Sequence, residues 1–168
     1  MNSVYAVAIG ISVIGCVTDV RSRRIPNVLT FGAAIAGVMF HSARGAGALF
    51  SVAGLVVGGA AFIIPFALGG LGAGDIKLLA ALGAWLGPRD TVWLALYTGI
   101  SGGVLAIVVA ACYGYLRQAL SNVWLLLAHW CVSGIRPVHE ISLEGSSGPR
   151  LAYAVPILAG LVLTIWLR

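Results

Sequence analysis

Gly72-Ala73-Gly74-Asp75-Ile76-Lys77 places a carboxylate between two apolar runs that have the length and character of membrane spans. A carboxylate at the edge of a bilayer costs free energy and is a candidate functional group by default. It also has a plain alternative: Asp is a favoured N-cap, and the glycines before it relax the backbone where a helix would begin at Ile76. A second carboxylate, Asp19, stands at the C-terminal end of its own apolar run, where the helix macrodipole disfavours negative charge. Capping of that helix cannot account for it, although a salt bridge to Arg21, Arg23 or Arg24 can.

Composition sets the class. Of 168 residues, 60% are hydrophobic and 9% charged, and the mean hydropathy is +1.03, outside the range of soluble globular domains. The expectation is an all-α polytopic membrane protein with no sizeable soluble core, since each spanning helix consumes about 20 residues. The 23 glycines suit close helix approach in lipid, and Gly54-Leu55-Val56-Val57-Gly58 forms a small-xxx-small face. The net charge of +5 is explained by basic residues in the short connections, with no call for a nucleic-acid partner. Cys16, Cys112 and Cys131 form no Cys-x-x-Cys pair and read as small apolar residues, so neither zinc nor a disulfide framework is expected.

Six spans follow from the apolar runs at 4–17, 28–40, 48–68, 76–86, 91–115 and 151–167, with a short interfacial helix at 123–130 and a polar cytoplasmic loop at 135–150 that holds Glu140 and Glu144. Pro26 stops the first connection from continuing as helix, Asn27 is suited to cap the second helix, and Pro65 kinks the end of the third. Gly87-Pro88-Arg89-Asp90 reads as an outer turn. With the N-terminus outside, seven of the ten basic residues fall inside, as the positive-inside rule requires. Lys77 is expected to snorkel to lipid headgroups.

This topology brings Asp19 and Asp75 to the same membrane face. Two carboxylates in a poorly solvated site share one proton and titrate as a unit. One then acts as general base on water while the other donates a proton to a carbonyl oxygen, the chemistry of aspartic peptidases. Gly72 and Gly74 would let the loop backbone lie close to an extended substrate. Other chemistries are poorly supplied: there is no Gly-x-Ser-x-Gly elbow and no His-Glu-x-x-His motif, and His41, His129 and His139 have no partner carboxylate at a telling spacing. The rival class is a small proton-coupled transporter or assembly subunit, but its carboxylates would more usually lie near the bilayer midplane.

Three pieces of the chain carry a resemblance: Asp19 with Arg24-Ile25-Pro26-Asn27, Gly72-Ala73-Gly74-Asp75-Ile76-Lys77-Leu78, and Ala152-Tyr153-Ala154-Val155-Pro156. The chain resembles the type IV prepilin peptidases, membrane aspartic peptidases of bacteria. The Gly-x-Gly-Asp element is shared with presenilin-like proteases, but its combination with Ile-Pro-Asn and the short chain favours the prepilin enzymes. The resemblance implies that residues 1–168 are one transmembrane prepilin peptidase domain in the bacterial inner membrane, with Asp19 and Asp75 catalytic at the cytoplasmic face and no cofactor. It further implies a prepilin substrate, with the leader in the cytoplasm and the apolar stem crossing the lipid membrane against the helices. Nothing corresponds to the cysteine-containing insert of the bifunctional members, so methyltransferase activity is not implied, and the chain resembles the short tight-adherence (Flp-type) form. The oligomeric state is left open.

Overall fold

The computed structural model describes residues 3–67, 70–118, 120–121, 123–125 and 152–167. Six helices are described from end to end: α1 (Ser3–Ser22), α2 (Asn27–Ala43), α3 (Ala48–Ala61), α4 (Ile63–Ala67), α5 (Ala73–Cys112) and α6 (Ala154–Trp166); residues 116–118, 120–121 and 123–125 are helical as well. The described residues contain no strand, in line with an all-α reading. The loop expected at 135–150 and most of the interfacial helix expected at 123–130 lie outside the described residues.

The span count expected from the sequence is not reproduced. Two helices, Ser3–Ser22 and Ala73–Cys112, are long and apolar enough to cross a membrane, whereas Asn27–Ala43, Ala48–Ala61 and Ala154–Trp166 are shorter apolar helices. One reason is local. Pro65 has no N–H for the Ala61 carbonyl, so α3 stops at Phe62 and the chain resumes as the short α4.

The junction at 87–90 is tighter than expected. The four-residue turn expected there is compressed into Gly87 alone, whose φ of 78° and ψ of 173° divide α5 into two arms. Pro88 serves as the start of the second arm, where its missing N–H is least costly. Gly87 is also required by space, because the Phe50 ring occupies the position of a Cβ. The break leaves carbonyls without helical donors, and neighbouring helices supply them. Ser51 Oγ of α3 donates to the Ala84 carbonyl, which Pro88 cannot serve. His41 Nε2 donates to the Trp85 carbonyl at 2.9 Å, which fixes its tautomer, and Trp85 Nε1 donates to the Ala33 carbonyl at 2.8 Å. His41, expected in an outer turn, is buried in the last turn of α2 between Phe40 and Phe50.

Contacts along the helices fix their directions. Tyr5, near the start of α1, donates to Asp90 Oδ2 at 3.2 Å, so that end of α1 lies beside the kink. Asp19, fourteen residues on, lies roughly 20 Å further along the helix, beside the start of α5, and the first arm therefore runs antiparallel to α1. The second arm returns, since Tyr153, next to the residue that holds Asp19, packs against Gly102.

Gly54 and Gly58 do form a packing face, and its partner is the first arm of α5. The Gly83 carbonyl occupies the space of a Cβ on Gly54, and the Leu79 carbonyl crowds that of Gly58. Around these crossings Ile11, Leu78, Leu79, Leu82, Leu94, Ile157 and Leu161 form the apolar core. Large apolar side chains also face outward on every long helix, Val28 and Leu49 more than 80% exposed among them, as a lipid-facing surface requires.

Candidate active site

α1 ends where Ser22 Oγ returns to the Thr18 carbonyl at 2.7 Å and Arg23 takes a positive φ of 54°. A left-handed residue is the usual stop for a helix, and the Arg23 N–H donates to the Asp19 carbonyl at 2.8 Å. The chain then turns through Ile25 and Pro26 into α2. Pro26, in extended conformation, precedes the first helical residue, so Asn27 does not cap α2 as expected and leaves its amide free for another partner.

Asp19 is 9% exposed. Its Oδ2 accepts from the Ala154 N–H at 3.3 Å, at the first residue of α6. Sequence reasoning excluded capping for Asp19, and that exclusion holds only for its own helix. Across 135 residues of sequence it serves the N-terminus of another, where a negative charge is favoured by the macrodipole and by unpaired N–H groups.

Asp75 stands in the first turn of α5. Its Oδ2 accepts from the Gly72 N–H at 3.2 Å, and its own N–H donates to the Gly72 carbonyl at 3.2 Å. The capping alternative for Asp75 is thus realised in part: the carboxylate closes the turn before its helix. Gly72 permits this closure, since a Cβ there would come within 3.1 Å of Asp75 Oδ2. Asp75 is partly buried, and it feels the charge of Asp19. The two carboxylates are therefore electrostatic neighbours, each also bound by a backbone N–H at a helix N-terminus.

The segments that carry them touch. Gly74 packs on Ile25, whose Cβ lies 3.3 Å from the position of a Gly74 Cβ. Lys77 Nζ donates to Asn27 Oδ1 at 2.9 Å and lies 5.5 Å from the Phe31 ring centroid. Lys77 is thus tied to α2, rather than extended to headgroups as expected. Gly72 is exposed and Gly74 half-buried.

Tyr153 had a place in a sequence signature and no role there. In the structure it precedes the N–H that binds Asp19, its ring meets Phe62 edge-on at 6.0 Å, its hydroxyl fills the space beside Gly102, and it feels the charge of Asp75. Pro156 lies in the first turn of α6, but nothing local in 152–156 reports that Asp19 would receive the start of that helix. Cys16, one turn before Asp19, and Cys112 are free thiols. Among the described residues no three His, Cys, Asp or Glu side chains gather to hold a metal ion.

This end of the bundle supplies two carboxylates near enough to interact through their charge, one of them almost fully buried, in a setting of apolar side chains and helix N-termini. Such a pair can divide the two proton transfers of an amide hydrolysis between its members.

The type IV leader peptidase family matches residues 6–107, which hold Asp19, Asp75 and both contacting motifs. The prepilin leader peptidase/N-methyltransferase of Pectobacterium carotovorum subsp. carotovorum is 34% identical over 103 residues, a match that takes in 55% of this chain and 36% of that relative. This chain thus matches about a third of the curated relative's length. No solved structure matches. With more than half of its residues matched, the chain belongs to the type IV leader peptidase family and so stands among peptidases.

Proposed function

We propose that this protein is a multi-pass membrane aspartic endopeptidase that removes the leader peptide of prepilins, with Asp19 and Asp75 as its catalytic pair. The observation that carries the reading is the electrostatic neighbourhood of two carboxylates that lie 56 positions apart in the sequence and on different helices. One carboxylate takes a proton from water as its oxygen attacks the scissile carbonyl carbon, and the other protonates the carbonyl oxygen. The tetrahedral intermediate then collapses, the carbon–nitrogen bond breaks, and the leaving amine takes up the proton first removed from water. Each positioned acid or base contributes on the order of 10²–10⁴ in rate.

The substrate assignment is supported by the family and by the relative's name as a prepilin leader peptidase. The methyltransferase activity in that name is not carried over, because the match leaves most of that relative uncovered. Placement of the pair beside Arg21, Arg23, Arg24 and Lys77 supports a site at the cytoplasmic face of the bacterial inner membrane. In that arrangement the shorter helices complete a six-span bundle with lipid around it, the glycine loop at 72–74 receives the extended scissile segment, and the substrate belongs to an Flp-type pilus.

Co-expression with candidate Flp-type prepilins tests the reading, with cleavage followed as a mobility shift on a gel. The intact protein is expected to produce the shift, and Asp19→Asn and Asp75→Asn at equal expression are each expected to abolish it. Cleavage by either variant at the rate of the intact protein sinks the catalytic pair. Absence of cleavage for every pilin offered sinks the substrate assignment and returns the carboxylates to proton-coupled transport or assembly.

A further inference from the structure

Asp19 and Asp75 are held by separate helices, and nothing in the backbone of either helix sets their separation. Asp19 is fixed along α1 and by the Ala154 N–H. Asp75 is fixed to the start of α5 by Gly72. Between them a second connection closes a ring. From Asp19 the chain runs through the Arg23 turn to Asn27, the first residue of α2, and Asn27 accepts from Lys77, two residues beyond Asp75.

The receptor for Lys77 is built for a cation. Asn27 and Phe31 are four residues apart on α2 and so present the same face, one with an amide oxygen 2.9 Å from Nζ and the other with a ring whose centroid is 5.5 Å away. Ile25 against Gly74 adds an apolar contact between the same two segments. We infer that Lys77 and Asn27, assisted by Phe31, are positioning residues that clamp the start of α2 to the start of α5 and thereby set the separation of Asp19 and Asp75. The bond is solvent-exposed, and exposed contacts of a long charged side chain add little to global stability. Its contribution lies in registry: a misplacement of reacting groups by about 1 Å costs on the order of 100-fold in rate.

The inference rests on the peptidase reading for its catalytic consequence, and two measurements keep the two separable. The first is steady-state cleavage of a purified prepilin by the purified full-length protein in lipid vesicles. Lys77→Met and Asn27→Leu are each expected to lower kcat about tenfold to a hundredfold with KM within about twofold, whereas Lys77→Arg and Asn27→Asp, which keep a cation and an acceptor, are expected to retain most of it. Full kcat in Lys77→Met and Asn27→Leu, or equal losses in the conservative and disruptive variants, overturns the clamp.

The second measurement needs no substrate. Spin labels at Ser22→Cys and Ala73→Cys, in a chain with Cys16, Cys112 and Cys131 replaced by Ala, report the distance between the end of α1 and the start of α5. The distribution is expected to be narrow with Lys77 or Lys77→Arg and broader with Lys77→Met and with Asn27→Leu. An unchanged distribution in both disruptive variants overturns the clamp even if no prepilin is cleaved, and a broadened one upholds it while absence of cleavage tells only against the proposed function.

Discussion

At the scale of the residue, Asp19 has two duties, and a pair of substitutions separates them. Its carboxylate accepts from the Ala154 N–H and lies beside Asp75. Asp19→Asn keeps an oxygen acceptor for α6 and removes the charge, so it is expected to leave thermal unfolding in detergent nearly unchanged while cleavage falls by about 10³-fold or more. Asp19→Ala removes the acceptor as well and is expected to lose a further ~1 kcal/mol of stability, the ordinary value of a helix cap. Equal melting of the two variants would show that the bond to α6 contributes nothing. Gly72→Ala belongs with this pair: its Cβ would stand 3.1 Å from Asp75 Oδ2, and the displaced carboxylate is expected to cost about tenfold in kcat in the same cleavage assay. Both aspartates were legible in the sequence because five acidic residues in so apolar a chain each demand a reason. The cap on α6 was not, because its donor belongs to a helix on the far side of the chain and capping rules read only a few residues. Lys77 was misread for the same reason, since snorkelling is its default where no acceptor is known and Asn27 looked committed to its own helix.

At the scale of the element, the face formed by Gly54 and Gly58 was readable from spacing, whereas its partner was not. Periodicity identifies a surface, and only the folded chain identifies what meets it. Gly54→Ala places a methyl group on the Gly83 carbonyl and is expected to cost about 1–3 kcal/mol through overpacking, read as a lowered melting temperature. Gly10, in α1, has open space where its Cβ would stand, and Gly10→Ala is expected to be neutral or stabilising by up to ~1 kcal/mol. Similar melting of the two variants would remove the close crossing from the account. The kink makes a second claim. Ser51→Ala leaves the Ala84 carbonyl buried without a donor and is expected to cost about 1–3 kcal/mol, with cleavage by the folded fraction unaltered. Pro88 and Gly87 signalled a break in the sequence, but a four-residue turn is only the usual way to make one. Here glycine bends in one residue, and proline needs no donor at the start of the next arm.

At the scale of the whole molecule, the open matter is how the bundle sits in a membrane. Hydropathy identified the apolar runs, and the structure keeps them as helices, but α2, α3 and α6 have 17, 14 and 13 residues against the ~20 needed to cross the hydrocarbon unaided. Where a helix breaks, as α3 does at Phe62, hydropathy continues and helix length does not, so the apolar runs read as six spans while two helices have the length to cross on their own. The proposed direction of insertion rests on charge. One end of the bundle carries Arg21, Arg23, Arg24 and Lys77 near Asp19 and Asp75, and the other carries Arg44 and Arg89 near the kink. The positive-inside rule counts such residues in short connections, and on that count the aspartate end is the one proposed to face the cytoplasm. In a chain free of native cysteines, Arg44→Cys is expected to react with a membrane-impermeant maleimide added to intact cells, and Ser22→Cys only after the membrane is opened. The reverse pattern would put the carboxylate pair outside, away from a leader peptide that has not yet crossed. Labelling of both positions from outside would mean that α2 does not cross, because Ser22 and Arg44 stand at its two ends. Substitution at Gly47 and Gly70, at the ends of α3 and after α4, extends the same test to the third proposed span, where opposite accessibility is expected if the break at Phe62 bends a spanning segment and equal accessibility if it ends one.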